Sequence, residues 1–413
     1  MTEPSSSSTD PSGIGTLRAV ITVMVIAHHA FLGYHPFAPP PFDSLRTAPY
    51  WQAFPVVDPD RWHGALWPVA VNDMFFMSLM FLISGLFVWQ SLTTRGGGRY
   101  LRDRARRLGL PFLAAAALLA PLAYLPSYLQ TGAAATWSGF WREWLALESW
   151  PAGPAWFLWV LLAFNLLAVA LHAVAPRCGE RLGTLFAGAA RRPVIAFGIL
   201  VAASAVAYVP MALGYGGLRW SALGPFAIQT SRAAHYLIYF AAGVAIGALG
   251  LERGLVARTG KLAARWPLWV GGAAVAFLLA IEATTRDLAS GGARTWQLVD
   301  ALGFVVACAA LCFAFLACFV RIAPLRSRLA ASLRANAYAM YVVHYAIVTW
   351  LQYALLDAAL PGFAKAALVF GLAVASSWFV AAWVRGAARA MSRARCVPAA
   401  VEPCRGPADQ PAA

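Results

Sequence analysis

The sequence has 413 residues, of which 61% are hydrophobic and 12% are charged, and its mean hydropathy is +0.64. That composition leaves too little polar surface to cover a water-soluble globule of this length, so it excludes that class and indicates a chain dissolved in lipid. The formal net charge of +15 comes from arginines clustered between apolar runs. Such clusters are typical of membrane topology signals and argue against nucleic acid as a partner.

About ten apolar runs are long enough to cross a hydrocarbon core, which takes roughly 20 residues of helix. They lie near residues 17–35, 69–91, 109–130, 155–175, 193–213, 232–250, 267–284, 298–320, 335–356 and 363–386. The sequence therefore predicts an all-α, polytopic membrane bundle over residues 14–388. Residues 1–13 are polar without a basic signal-peptide region and predict a disordered leader, and residues 389–413 predict a disordered cytoplasmic tail.

The distribution of positive charge predicts the orientation of the bundle. Connections that follow even-numbered runs, together with the C-terminal tail, hold 23 of the 32 Lys and Arg residues. Because positive charge is retained on the cytoplasmic side, these connections are expected to be cytoplasmic. Both termini are then expected to be cytoplasmic as well.

The longest connection on the other side, about 36–68, is rich in Pro and aromatic residues and is not expected to form regular structure. It is either a structured cap or part of the mouth through which an acceptor enters. The six cysteines lack metal-ligand spacing with histidine, so no metal site is predicted and they are interpreted as reduced packing residues.

Ionisable residues inside a spanning helix are costly, so Arg18 and His29 of the first run are candidate functional residues. Eleven residues correspond to about 1100° of helix, which places both side chains on one face. The rise puts His29 about 16 Å deeper than Arg18, a depth that an extended pantetheine arm could span. Arg suits a phosphate group, and a neutral imidazole can take a proton from a hydroxyl. His28 points elsewhere, and an interhelical hydrogen bond explains it equally well.

A dense basic segment follows the second run, with six arginines within residues 95–107. Positive-inside anchoring explains part of it. The remainder favours phosphate binding, for which Arg102, Arg104 and Arg107 are the candidates, the last two one helical turn apart. The Gly96–Gly98 run lacks the Lys-Ser/Thr of a phosphate loop and is interpreted as a flexible connection.

Further polar residues lie in the second and ninth runs. His344 is expected near mid-membrane with Tyr338 and Tyr341 on the same helix, either as a packed polar seam or as a substrate lining. Asn72 and Asp73 lie at the mouth of the second run, where they are either hydrogen-bonded structural residues or part of an acceptor site.

Several segments together resemble the acyltransferase-3 family of bacterial membrane O-acyltransferases, over roughly residues 14–388. They are Arg18 and His29 with ten residues between them; FLISG at 81–85; R-x-x-R-L-x-x-P-F at Arg104, Arg107, Leu108, Pro111 and Phe112; PAWFLWVLLAFN at 154–165; and AYAMYVVHY at 337–345. The second and fourth segments are somewhat closer to the branch that succinylates periplasmic glucans. One departure is that the acidic residue often found just before the first arginine is absent, since Gly15, Thr16 and Leu17 stand there.

The resemblance implies a ten-helix bundle that takes acyl-CoA from the cytoplasm and acylates a surface or periplasmic carbohydrate. It implies that His29 is catalytic and that Arg18, Arg104 and Arg107 are essential or bind the donor. Acyl-CoA is then a co-substrate, no cofactor is bound, and membrane lipid surrounds the protein. Direct transfer and an acyl-histidine intermediate both remain open. The rival interpretation is a transporter or flippase that makes no bond; its usual sign, broken helices in symmetry-related halves, is not seen in the sequence.

Overall fold

The structure, a computed structural model, describes residues 13–41, 43–45, 53–132, 136–190, 192–248, 250–251, 254–321 and 327–395. It is 79% helical, which confirms the all-α prediction. The helices of the first half are α1 (Ile14–Leu32), α2 (Leu66–Gly85), α3 (Val88–Arg95), α4 (Gly97–Arg104), α5 (Leu110–Ala114), α6 (Ala120–Gln130), α7 (Trp137–Leu145) and α8 (Trp156–Val174). Those of the second half are α9 (Cys178–Ala190), α10 (Pro193–Tyr215), α11 (Ala233–Ala248), α12 (Lys261–Ala264), α13 (Trp266–Ala289), α14 (Arg294–Arg321), α15 (Arg328–Ala354) and α16 (Gly362–Arg395).

Within the described residues, eight helical segments are long and apolar enough to cross a membrane. They are Ile14–Leu32, His63–Arg95, Gly97–Gln130, Gly153–Val174, Pro193–Tyr215, Trp266–Ala289, Arg294–Arg321 and Gly362–Ala390. Several spans at this hydropathy make the chain a multi-pass membrane protein.

All ten predicted apolar runs form helices, but two of them do not meet the length and composition expected of a span. Helix α11 has 16 residues, and α15 carries arginines and a polar histidine and tyrosine seam. Both pack inside the bundle, α11 against α2 and α15 against α1 and α16. The count of about ten spans and the side on which each terminus lies therefore stay predictions.

Among the described residues the helices pack around three apolar cores. The largest lies between α2, α8, α10, α11, α13 and α14, a second between α1, α15 and α16, and a third between α6, α7 and α15. Helix α1 contacts both α2 and α15, so its two buried faces look into different groups of helices. The functional candidates on α1 lie at this boundary.

The third span is not a uniform α-helix. Between α4 and α6 it contains two π-helical turns, Ala105–Gly109 and Ala115–Leu119, which flank α5. The bend before it is made at Gly96, whose φ of +74° favours glycine, while Gly97 and Gly98 already belong to α4. The predicted flexible glycine connection is thus a single-residue turn.

A short hairpin was not predicted. Strands β1 (Trp220–Leu223) and β2 (Phe226–Gln229) pair antiparallel, and Gly224 takes a positive φ in the two-residue turn between them. Trp159 of α8 donates its indole N–H to the carbonyl of Ala227 at 3.0 Å. The hairpin is thereby tied to the start of the fourth span.

The described part of the long connection after α1 forms a cap on the end of that helix. The amide of Asp58 donates to the carbonyl of Gly33 at 2.9 Å, and Gln130 makes two hydrogen bonds to the backbone of Val57. Lys365, fully buried at the start of α16, binds Asp58 at 3.1 Å and Asp60 at 2.9 Å. This favours the structured cap over an open mouth, while residues 42 and 46–52 lie outside the described residues.

The predicted domain boundaries fall partly on residues that the structure does not describe. Of the predicted leader, only Gly13 is described, and α16 continues beyond residue 388 to Arg395. Cys396 and Cys404 lie outside the described residues, and the four described cysteines are free thiols.

Candidate active site

The two histidines of α1 face different helices. His28 is buried, and its ring lies 5.3 Å from that of Phe76 on α2. His29 is half-buried, and its ring lies 5.4 Å from that of His344 and 4.9 Å from that of Tyr345, both on α15. Consecutive helical residues are about 100° apart, which is why the pair separates onto two faces.

Helix α15 holds the backbone of His29 as well as its ring. Gln352 donates its side-chain amide to the carbonyls of His29 and Ala30, at 3.0 and 3.2 Å. These carbonyls belong to the last turn of α1, where the helix has no backbone N–H groups left to bind them. The same helix therefore sets both the depth of His29 and its surroundings.

His344 is fully buried and its tautomer is fixed by its own helix. Its Nδ1 lies 2.6 Å from the carbonyl oxygen of Tyr341. A carbonyl can only accept, so Nδ1 carries the hydrogen and Nε2 has the free lone pair. That Nε2, and the Nδ1 atoms of His28 and His29, are buried without a hydrogen-bond partner among the described residues. A neutral imidazole placed in this way can take a proton from a hydroxyl group.

Tyr345 is clamped between neighbours on three sides. Its hydroxyl lies 3.4 Å from that of Tyr124, and its ring edge is so close to Gly153 that a Cβ there would come within 2.9 Å of it. Gly153 also has a φ of +54°, which favours glycine at this position. The ring that packs on His29 is thus fixed in place.

Tyr345, whose ring packs on His29, also lines a small apolar pocket. The pocket is lined by Ala115, Leu119, Ala120, Ala123, Ala152, Pro154, Ala155, Tyr341, Val342, Tyr345 and Ala346. One of the two π-helical turns of the third span forms part of its wall. Tyr341 is one of these lining residues, and its hydroxyl donates to the carbonyl of Pro154.

Arg18 does not contact His29. Its guanidinium stacks over the ring of Phe87, 4.8 Å from the ring centroid, at the junction of α2 and α3. The arginine thus leans towards α2 whereas His29 faces α15, so the predicted common face holds for the backbone positions and not for the contacts. A donor-binding role for Arg18 stays a prediction.

The pair at the mouth of α2 is engaged in structural contacts. Asn72 donates its amide to the carbonyl of Met24 on α1 at 3.1 Å. Asp73 forms a two-pronged ion pair with Arg232, with contacts of 2.7 and 3.1 Å. Neither residue lines the pocket beside Tyr345. The geometry therefore favours the structural alternative over the acceptor site for both.

The basic segment after α3 presents its three candidate arginines differently. Arg102 and Arg107 are exposed, while Arg104 is half-buried with its guanidinium 4.9 Å from the ring centroid of Tyr100. Arg107 lies in the π-helical turn Ala105–Gly109, and its carbonyl accepts a hydrogen bond from Tyr338. Tyr338 is exposed and therefore joins this surface instead of the histidine cluster.

Sequence reasoning missed Arg232 and Gln352 and gave no role to Tyr124. Arg232 is buried on the ring of Phe304 at 4.7 Å, and an isolated arginine at the start of an apolar run was the available signal. Gln352 and Tyr124 carry no such signal, because their importance comes from which helices lie next to them.

The cluster and its fold were compared with known proteins. A family model described as an acyltransferase domain matches residues 12–382. Comparison with curated proteins and with solved structures finds no match. Since the matched region takes up most of the 413 residues and contains every helix that carries a candidate residue, the chain belongs to the acyltransferase-3 family.

Proposed function

We propose that the protein transfers an acyl group from cytoplasmic acyl-CoA to a hydroxyl group of a carbohydrate or related acceptor on the opposite side of a bacterial inner membrane. Membership of an acyltransferase family supports the transfer itself. The observation that carries the proposal is the buried cluster of His29, His344 and Tyr345, in which ring nitrogens are left unpaired inside a multi-pass membrane bundle.

In the proposed reaction His29 is the general base. The unprotonated nitrogen of its ring takes the proton of the acceptor hydroxyl while the oxygen attacks the thioester carbon. The carbon–sulfur bond breaks, and the leaving thiolate of CoA takes up the proton from the imidazolium. The steps balance without a metal or a bound cofactor, since acyl-CoA enters as a co-substrate. Arg102, Arg104 and Arg107, with Arg18, are proposed to hold the phosphates of the donor.

Tyr345 and the small pocket behind it are proposed to position the acyl group. The pocket is apolar and its wall is made mainly of alanines, so it offers room for a small acyl group one side chain away from His29. Succinyl and acetyl donors are therefore the first two probes.

The test measures release of CoA and transfer of labelled acetyl and succinyl groups by purified protein in nanodiscs. His29→Ala is expected to lower turnover by roughly 10²–10⁴-fold, the usual contribution of a general base. His28→Ala is the matched control, because it removes the neighbouring ring that faces α2, and it is expected to retain turnover. Normal insertion of both variants is checked by gel filtration and thermal unfolding.

A folded wild-type protein that consumes neither donor would count against acyl transfer and favour the transporter interpretation. Equal losses in the two variants would remove the special role of His29. Incubating the wild type with labelled donor alone distinguishes the two chemical routes: label retained on the protein indicates an acyl-histidine, and unlabelled protein indicates direct transfer.

A further inference from the structure

The cluster around His29 contains two ring nitrogens whose hydrogen-bonding capacity is unsatisfied. His29 Nδ1 and His344 Nε2 are both buried, and neither has a partner among the described residues. Buried polar nitrogens in folded proteins are nearly always hydrogen-bonded. An unpaired nitrogen has lost its hydrogen bonds to water without forming new ones, which costs free energy. The two unpaired atoms belong to rings whose centroids are 5.4 Å apart.

We propose that His344 is a positioning residue for His29, accepting a hydrogen bond at its Nε2 from the Nδ1–H of His29. Rotation of the His29 side chain, with His344 held by its bond to Tyr341, would bring two rings at this separation into N–H···N contact. One hydrogen bond then satisfies both buried atoms. The hydrogen on His29 is held at Nδ1, so Nε2 is left as the lone pair that acts as base. This inference rests on the proposed function for its catalytic meaning and not for its structural content.

The direction of the hydrogen bond follows from the tautomer of His344. Its Nδ1–H is already committed to the carbonyl of Tyr341 at 2.6 Å, so its Nε2 can only accept while the ring is neutral. His29 must therefore be the donor. The result is a chain of carbonyl, imidazole and imidazole, in which a base is oriented by a second group, as in hydrolase triads.

His28 is a poorer partner for the same atom of His29. The rings of His28 and His29 are perpendicular at 5.2 Å, so the edge of one points at the face of the other. The rings of His29 and His344 are tilted by 36°, closer to the shared plane that an N–H···N bond requires. The other ionisable groups nearby are Tyr345, which packs on His29, and the Asp73–Arg232 pair beyond His28, whose charges satisfy each other.

The first test is spectroscopic and needs no turnover. Protein labelled with ¹⁵N-histidine is reconstituted in nanodiscs, and the signals of His29 are identified among the seven histidines by comparison with His29→Gln. We expect His29 to be protonated at Nδ1 in the wild type and in His344→Gln, whose side-chain oxygen lies near the position of Nε2. In His344→Phe, which keeps the volume but removes the acceptor, the proton should move to Nε2 in a large share of molecules.

The proposal is overturned if His29 is protonated at Nε2 in the wild type, or if its tautomer is the same in the wild type and in His344→Phe. If His344→Phe does not fold, His344→Asn replaces it, because Asn can still donate to the Tyr341 carbonyl but is too short to accept from His29. These results stand whether or not the protein consumes acyl-CoA, so failure of the inference and failure of the proposed function are separable.

The second test is kinetic. His344→Phe and His344→Asn are expected to lower kcat by about 100-fold with the KM for acyl-CoA unchanged, and His344→Gln to recover at least 10-fold of that loss. A residue that only fills space predicts the opposite order, with the bulky Phe best tolerated. Equal kcat in the Gln and Phe variants would refute a positioning role.

Discussion

Asp73 and Arg232 show how a residue that suggests chemistry can instead close a buried contact between helices. The guanidinium of Arg232 is only 5% exposed, whereas the side chain of Asp73 is 44% exposed. Arg232 also donates to the backbone carbonyl of Asp73 and stacks on Phe304. The sequence marked Asp73 because a carboxylate at a helix mouth is unusual, but its partner lies 159 residues away and could not be identified from spacing.

The unequal burial of this pair predicts unequal costs of breaking it. Asp73→Ala leaves a buried guanidinium without a counter-charge and should cost about 3–5 kcal/mol of unfolding free energy. Arg232→Met leaves a carboxylate that water can reach and should cost less. Reversible unfolding in mixed detergent measures both values. If Asp73→Ala unfolds like the wild type but no longer acylates an acceptor, the acceptor-site interpretation is correct after all.

Arg104 and Arg107 were expected to act together because they are one α-helical turn apart. The structure places Arg107 in a π-helical turn, which changes its direction relative to Arg104, and buries Arg104 partly on Tyr100. The identities of these residues follow from the sequence, but their relative directions do not, because nothing in the local sequence marks a π-helical turn.

Each of these arginines is still expected to bind the donor. Arg104→Ala and Arg107→Ala should each raise the KM for acyl-CoA about 10- to 100-fold, as expected for loss of one charge-assisted hydrogen bond. Arg99→Ala is the control, since Arg99 is exposed in the same segment but lies outside the R-x-x-R-L-x-x-P-F pattern that begins at Arg104. Steady-state kinetics in nanodiscs provide the comparison. If the KM rises equally in all three variants, the donor is attracted by the overall positive charge of the segment and not bound by these two arginines.

At the scale of whole helices, α2 and α11 pack backbone against backbone. A Cβ at Gly243 would lie 2.0 Å from the carbonyl oxygen of Leu82, and one at Gly247 would lie 1.9 Å from that of Leu86. Gly85, the glycine of the FLISG segment, meets the carbonyl of Phe240 in the same way at 2.3 Å. The segment was recognised as a family feature, and the structure gives its physical reason: small residues let two helix backbones touch.

Adding a methyl group at this crossing should separate the helices. Gly243→Ala and Gly247→Ala are expected to destabilise the protein by at least 1–3 kcal/mol, as overpacking does, because a backbone carbonyl cannot move aside as a side chain can. Gly271→Ala and Gly272→Ala on α13 are matched controls, since a Cβ at either position meets nothing within 4 Å. Thermal unfolding of the four variants decides the matter, and equal melting temperatures would contradict the close packing.

For the molecule as a whole, apolar periodicity located all ten helical runs to within a few residues. It did not show that α11 has only 16 residues, or that α11 and α15 pack against neighbouring helices, α11 against α2 and α15 against α1 and α16. The β1–β2 hairpin, although local in the chain, was not predicted. The cap on α1 was one of two alternatives that the sequence left open, because the residues that hold it, Gln130 and Lys365, are far from it in the chain. The histidine cluster was half predicted: His29 and His344 were candidates, but their contact required knowing that α1 packs on α15.

The one-sided distribution of arginines predicts the side of the membrane from which the protein takes its acyl donor. Acyl-CoA does not cross membranes, so proteoliposomes of known orientation should use the donor only when it is added on the side of the Arg95–Arg107 segment. Orientation is measured by protease protection of a tag at one terminus. Consumption of donor from either side to the same extent would show that the predicted topology, or the proposed site of donor binding, is wrong.

The buried contact of Lys365 with Asp58 and Asp60 has a consequence for biosynthesis. Asp58 and Lys365 are separated by 307 residues, so at a translation rate of about 5–20 residues per second the two carboxylates wait roughly 15–60 s for their partner. Until α16 is inserted, the carboxylates of Asp58 and Asp60 lack the Lys365 ammonium that is buried between them. The helix made last among those described thus completes the cap on the helix made first.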